Sequence, residues 1–196
     1  MTERTASSSR SMGTQDIVLI ALFCAIIVAL GLVPPVNIAI VPVPITLQTL
    51  GVMLAGAVLG PVRGACACAL VVLLTVLGLP VLAGGRGGLG VIPGPTGGYL
   101  LGWIPGALVT GLLVKAFAVR VTGRAPQFAA YLAACLAGGL LVVYALGIPW
   151  TALTTGLGLG KAAVGALYFA VGDTLKAVAA AAVAHNVRRS YPIEPR

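Results

Sequence analysis

The sequence predicts an all-α integral membrane protein, a bundle of six transmembrane helices with both termini on the cytoplasmic side. Three observations predict it. Hydrophobic residues make up 59% of the chain and charged residues only 8%, whereas a soluble domain carries about 25% charged residues. Charge-free runs extend from Ile17 to Val62, Gly64 to Gly85, Gly87 to Val114 and Ala125 to Gly160, and about 20 apolar residues suffice to cross a hydrocarbon core of ~30 Å. The Lys and Arg residues fall unevenly between the two sides that such crossings create.

With Pro, Gly and charge as punctuation, the elements follow in order. Residues 1–16 are polar and Ser-rich and are expected to form a disordered cytoplasmic segment. Arg4 and Arg10 before an apolar run imitate a secretory signal, but the run is long for one and ends in Pro34-Pro35 without a small-residue cleavage site, so a retained first helix is expected. Spans are placed at Ile17 to Val33, Ile45 to Leu59, Gly64 to Leu79, Tyr99 to Val119, Gln127 to Leu146 and Gly165 to Val187, giving one transmembrane domain over residues 17–187 and a short basic cytoplasmic tail over 188–196. The second span is short, so it must tilt, borrow from Val36 to Pro44, or be buried by its neighbours. The runs are continuous and rich in Ala, Leu and Gly, without the alternation of barrel strands.

With cytoplasmic termini, the inner side collects Arg4, Arg10, Arg63, Lys115, Arg120, Arg124, Arg188, Arg189 and Arg196, and the outer side Arg86, Lys161 and Lys176. Nine against three obeys the positive-inside rule. The net charge of +8 therefore reads as topology and contact with anionic membrane lipid. No nucleic acid is expected as a partner, because basic clusters interleaved with aromatics are absent.

Cys24, Cys66, Cys68 and Cys135 fall within predicted spans and are expected to pack there, with no disulfide framework and no metal site. His185, beside Arg188 and Arg189, is expected at the inner interface. Gly85-Arg86-Gly87-Gly88-Leu89-Gly90 has the spacing of a dinucleotide fingerprint, but it lies between spans with no preceding strand and no ribose-binding acid. Gly160-Lys161 is not a P-loop either, since Thr155 stands where the first glycine belongs and Ala162 where the magnesium ligand belongs. The chain by itself has no means of using ATP.

Two features point to a small-molecule ligand. Gly172-Asp173-Thr174-Leu175-Lys176 places an acid and a base three residues apart, on one face of a predicted helix. Charges inside a span cost roughly 3 kcal/mol each on insertion scales, so they usually serve a substrate or a coupling step. A structural ion pair is the bland alternative. The other feature is the run Pro80 to Gly98, PVLAGGRGGLGVIPGPTGG, whose glycines allow close backbone approach and whose single charge is Arg86. It reads either as a flexible connector or as a loop that closes over a ligand and offers Arg86 to a carboxylate.

Val43-Pro44-Ile45-Thr46-Leu47-Gln48-Thr49-Leu50, Gly60-Pro61, Arg63-Gly64, Gly78-Leu79-Pro80-Val81, Ala83-Gly84-Gly85, Gly94-Pro95-Thr96-Gly97-Gly98-Tyr99, Gly147-Ile148-Pro149-Trp150 and Gly172-Asp173 with Lys176 together resemble the BioY biotin transporter family, the substrate-capture (S) components of energy-coupling-factor (ECF) transporters. The resemblance covers nearly the whole chain after residue 16. One departure is the segment before the Gly-Asp pair, which usually carries prolines in relatives and here reads Leu167-Tyr168-Phe169-Ala170-Val171-Gly172, allowing the last helix to begin earlier.

The resemblance implies a six-helix bundle in a prokaryotic cytoplasmic membrane that binds biotin with high affinity near its outer face. It also implies partnership with a transmembrane coupling subunit and with ATPase subunits that use ATP, no cofactor bound by this chain, and no enzymatic activity. Biotin has a ureido group with two N–H donors and a carbonyl, an apolar ring system and a distant carboxylate. Asp173 and Lys176 supply an acceptor and a donor for the ureido group, and Arg86 a cation for the carboxylate. Tyr99 is read as a pocket wall or hydrogen-bond donor, or else an interfacial aromatic; Gln48 as a ligand contact, or else a bond to a neighbouring helix. Trp150 is expected to be an outer-interface anchor and Lys161 an interfacial cation.

Ala21, Ala25 and Ala29 recur every four residues on the first helix, a small-residue stripe that in this family resembles the docking surface for the coupling subunit; internal packing is the plain alternative. A small membrane enzyme fits poorly, since Asp173 is the only acid between Asp16 and Glu194 and no Ser-His, paired-carboxylate or metal-ligand set can be assembled around it. A non-transporting structural subunit is the second rival. The sequence leaves open whether the chain works alone, as a homo-oligomer or only with its ATPase partners.

Overall fold

The computed structural model describes residues 12–37 and 42–190. Among them six helices traverse the molecule: α1 (Thr14–Gly31), α2 (Gln48–Leu59), α3 (Pro61–Val76), α4 (Gly97–Ala118), α5 (Arg124–Thr155) and α6 (Leu159–Ser190). Four of them, α1, α4, α5 and α6, are long and apolar enough to cross a bilayer. The other two are shorter. At 1.5 Å per residue the 12 residues from Gln48 to Leu59 reach only about 18 Å, so α2 does not borrow from the preceding segment as one reading had it. Instead Val36, after α1, and Ile45, ahead of α2, pair as an antiparallel bridge.

The boundaries follow local chemistry. Gly60, at φ 90°, ends α2, and Pro61 begins α3 at the first helical turn, where its missing N–H costs nothing. Pro149 lies inside α5 rather than ending it, so that helix runs well past the expected Leu146. The last helix begins at Leu159, ahead of the expected Gly165, and the proline-free segment Leu167 to Gly172 continues it without a break. Helix α2, α4 and α5 each contain a π-helical turn, at Ala55–Leu59, Val114–Ala118 and Ala137–Val142. The turns of α2 and α5 lie where these helices cross α4, with Gly56, Gly106 and Gly138 bringing backbones into contact, and the turn of α4 forms its last residues.

Two expectations near the chain ends need correction. Helix α1 starts at Thr14, inside the segment read as disordered, and residues 1–11 lie outside the described residues, as do 191–196 of the tail. Asp16 is buried, its carboxylate caps the helix through the Gly13 N–H at 3.0 Å, and it forms a salt bridge with the buried Arg63 at the start of α3. Arg63, counted from sequence as a topological charge, therefore joins α1 to α3. His185 is likewise buried, packed edge-on against Tyr131 at 6.0 Å, and is not an interfacial side chain.

The core has two storeys. One, around Met53, Leu59, Val114, Tyr131, Ala177 and Ala181, fills the end that carries the salt bridge. The other, around Ile27, Val52, Val71, Leu100, Trp103 and Phe169, underlies the loop-covered end. Cys24, Cys68 and Cys135 are buried in this packing, and all four cysteines are free thiols.

The salt bridge is expected to be structural. Arg63→Ala should strand the Asp16 carboxylate in the interior and destabilise the protein by about 3–5 kcal/mol, read as a lowered melting temperature in detergent. Restoration by the double change Arg63→Met and Asp16→Leu would confirm that burial of an unpaired charge causes the loss.

Candidate functional site

A cavity opens at the loop-covered end, lined by residues of the 43–49 segment, the 82–96 loop, α4, α5 and α6. Its polar wall is built on Asp173. Oδ1 accepts hydrogen bonds from Thr49 Oγ1 at 2.9 Å and from Lys176 Nζ at 2.7 Å, and Oδ2 accepts one from the Tyr144 hydroxyl at 2.7 Å. Lys176 also donates to the Thr46 carbonyl at 2.7 Å and to Thr49 Oγ1 at 3.2 Å. The acid and base lie three apart on α6, so both reach the same side of the helix, where Thr49 in the first turn of α2 and Thr46 just ahead of that helix meet them. A carboxylate has about four lone-pair sites. Three are filled, so Asp173 can take one more N–H without breaking a bond.

The apolar wall is aromatic. Tyr99 stands edge-on to Tyr144 at 5.9 Å and to Phe169 at 6.3 Å, and Trp103 and Leu100 continue the surface below it. Gly147 is a requirement of this arrangement, because a Cβ there would sit 2.3 Å from the Tyr99 ring.

The roof is the glycine loop, and it is tied down at three places. Gln48 donates from Nε2 to the carbonyls of Ile27 at 3.2 Å and Val81 at 3.1 Å, and its Oε1 accepts from the Ala83 N–H at 3.0 Å. Gly88 N–H donates to the Thr75 carbonyl at 2.7 Å. Trp150 Nε1 reaches the Gly94 carbonyl at 3.1 Å and Thr151 Oγ1 the Pro95 carbonyl at 2.8 Å. Between the first two ties a tight turn closes on a Leu82–Arg86 bridge, with Gly84 and Gly85 at φ 77° and 69°, values that side chains other than glycine rarely adopt. Arg86 lines the cavity from that turn. Its Nε donates to the Ala83 carbonyl at 3.2 Å, and among the described residues its two Nη groups have no hydrogen-bond partner. Partial burial lowers its pKa from the ordinary value, yet guanidinium stays protonated in proteins.

The model for the BioY family matches residues 2–193. The chain is 50% identical over 184 residues to the biotin transporter BioY of Rhizobium etli, covering 94% of this chain and 98% of that one. It is 47% identical to the biotin transporter BioY of Rhodobacter capsulatus, covering 91% and 95%. This chain belongs to the BioY family. Its structure superposes on the crystal structure of the S-component for biotin from an ECF-type ABC transporter with a TM-score of 0.85 at 30% identity, over 91% of this chain and 95% of the other. The family is one of transport components, not of enzymes.

Of the residues singled out from sequence, Asp173, Lys176, Arg86, Tyr99 and Gln48 all line this one cavity. Gln48 is fully buried and its amide is committed to the three bonds above, so it holds the loop in place. Trp150 is a loop anchor and not simply an interfacial ring. Lys161 lies exposed in the first turn of α6. Ala21, Ala25 and Ala29 are exposed on the outside of α1, which removes the reading in which they pack inside the bundle. Sequence reasoning missed Tyr144, Thr49 and the Thr46 carbonyl as partners of the charged pair. A tyrosine inside an apolar run was the available signal, since a phenol buried there needs a partner.

Tyr144→Phe removes a hydrogen bond to a charged group, a class worth about 1.5–3 kcal/mol, and should lower the melting temperature of the ligand-free protein. An unchanged melting temperature would show that the hydroxyl contributes nothing to holding Asp173.

Proposed function

We propose that this chain is the biotin-binding S component of an ECF-type ABC transporter in a prokaryotic cytoplasmic membrane, capturing the vitamin with high affinity for uptake. The observation that carries the reading is the Asp173–Lys176 pair in the wall of a cavity whose remaining surface is aromatic and aliphatic, with Arg86 on the opposing loop. A ureido N–H takes the open lone pair of Asp173. The ureido carbonyl accepts from Lys176, most readily in place of the longest of its three bonds, the one to Thr49 at 3.2 Å. The bicyclic ring packs against Tyr99 and Phe169, and the carboxylate of the side chain meets the Nη groups of Arg86. The names of the relatives, biotin transporters, support this choice of ligand.

Calorimetry with detergent-purified protein and biotin tests it. Asp173→Asn and Lys176→Ala should each weaken binding at least about tenfold, a step of 1.4 kcal/mol, while Asp173→Asn keeps near-normal expression and helix content. Arg86→Ala should weaken biotin by about 1.5–3 kcal/mol but spare an uncharged biotin amide. Equal loss of folding and binding in the first pair would make the ion pair structural, and equal loss for both ligands would remove Arg86 from the carboxylate site.

Orientation and docking belong to the same proposal. Among the described residues Arg63, Lys115, Arg120, Arg124, Arg188 and Arg189 stand at the end opposite the cavity, while Arg86 and Lys161 stand at the cavity end. The positive-inside rule then puts both termini in the cytoplasm and opens the cavity outward. The chain lacks a nucleotide-binding motif, so ATP is used by partner ATPases, reached through a coupling subunit that docks on the exposed Ala21, Ala25 and Ala29 stripe. Ala25→Trp should abolish transport that depends on the coupling subunit and leave biotin binding by the isolated chain unchanged. Lost binding would place Ala25 in the architecture of the pocket instead.

A further inference from the structure

The side-chain amide of Gln48 joins three pieces of chain at one point. Its Nε2 donates both to the Ile27 carbonyl of α1 at 3.2 Å and to the Val81 carbonyl at 3.1 Å, while Oε1 accepts from the Ala83 N–H at 3.0 Å. Gln48, Ile27 and Ala83 are all buried, so a lost bond here would leave a polar group stranded rather than hydrated. Ala83 passes the contact on, because its own carbonyl accepts from Arg86 Nε at 3.2 Å. A run of hydrogen bonds therefore leads from the backbone of α1 to the guanidinium.

That run decides which edge of the guanidinium is open to a ligand. The five N–H donors form a rigid fork, and a carboxylate can pair with Nε and one Nη or with the two Nη groups together. Nε is held by Ala83, which leaves the Nη pair, on a residue that lines the cavity. The neighbouring tie at Gly88 joins two backbone groups and involves neither Ala83 nor the guanidinium.

Gly31 shows independently how closely this junction is fitted. It is buried in the last turn of α1, one turn beyond Ile27, and it is not among the glycines with positive φ. Space is what requires it. A Cβ there would stand 2.8 Å from Gln48 Nε2 and 2.9 Å from the Val81 carbonyl oxygen, a backbone atom that cannot swing aside. Gly51 of α2 meets the other partner the same way, since its Cβ would be 2.7 Å from Ile27 Cγ1. Neither glycine lines the cavity.

We infer that Gln48, seated against Gly31, is the positioning residue for carboxylate recognition. It sets the Ala83–Arg86 turn so that the Nη edge meets the ligand, and the two residues together determine the preference for an acid over its uncharged amide. The inference rests on the reading in which Arg86 meets the carboxylate of biotin.

Calorimetry of the full chain in detergent with biotin and with biotin amide tests it. The ratio of the two affinities is the readout, because a general loss of stability weakens both ligands alike. Gln48→Met, which keeps the length of the side chain, should reduce the preference for biotin at least roughly fivefold, the size of one ordinary hydrogen bond. Gly31→Ala should reduce it in the same direction without altering any cavity residue. Trp150→Phe, which releases the loop only at Gly94, should keep the parental ratio. If the parent shows no preference for biotin over the amide, the Arg86 reading falls and this inference with it. If the parent and Arg86→Ala behave as that reading requires, the inference alone is overturned by any of three results: a parental ratio in Gln48→Met and Gly31→Ala, equal weakening of both ligands in them, or an equal fall of the ratio in Trp150→Phe. Should Gln48→Met fail to fold, Gly31→Ala decides.

Discussion

The hydrogen-bonded charge cluster of Asp173, Lys176, Thr49 and Tyr144 sets the terms for the rest of this molecule. An acid and a base in an apolar bundle are tolerable only when every polar atom finds a partner, because neither can be solvated by lipid. Here the partners come from three helices. Thr49 comes from α2 and the Thr46 carbonyl from the segment just before it, Tyr144 from α5, and the charges themselves from α6. Satisfying the pair thus fixes how those helices meet, and the cavity is the space left beside the cluster. A site assembled this way is preorganised, since a ligand that joins it exchanges partners rather than organising free side chains.

The shortness of α2 makes the cluster reachable. A full-length second span would carry helical backbone past Thr46, whose carbonyl would then bond within its own helix. Because the helix starts at Gln48, that carbonyl is available to Lys176, and the Gln48 amide at its first turn is free to hold both α1 and the glycine loop. The loop above is consequently not slack. It is fastened at Gln48, Thr75 and Trp150, with the Gly84–Gly85 turn projecting between the ties and bringing Arg86 to the cavity. The glycines serve turn geometry and close approach more than disorder.

Much of the fold was legible in the chain because the bilayer constrains it so strongly. Charge-free runs had to be helices with internally satisfied backbones, and all six were found, though their ends were misplaced where Pro149 failed to end α5 and the last helix began early. The charged pair was legible because a single acid within so long an apolar stretch has few ordinary roles. Asp16 was lost for the opposite reason. It sits among polar residues next to a terminus, and nothing local distinguishes a solvated carboxylate from one that meets Arg63 across the bundle.

By itself the sequence determined the helical class, the number of helices, the short second helix, and the charged pair inside the last span. All of these follow from composition, spacing and the cost of charge in hydrocarbon, which act along the chain. Only the tertiary structure decided that Gln48 holds the roof, that Tyr144 occupies one oxygen of Asp173, that His185 is buried, and that the Ala21–Ala29 stripe faces outward. Each of these depends on which residue lies opposite in another helix. That is set by rotation of helices about their axes, and a shift of one residue turns a side chain by 100° while leaving the hydropathy of a uniformly apolar span almost unchanged.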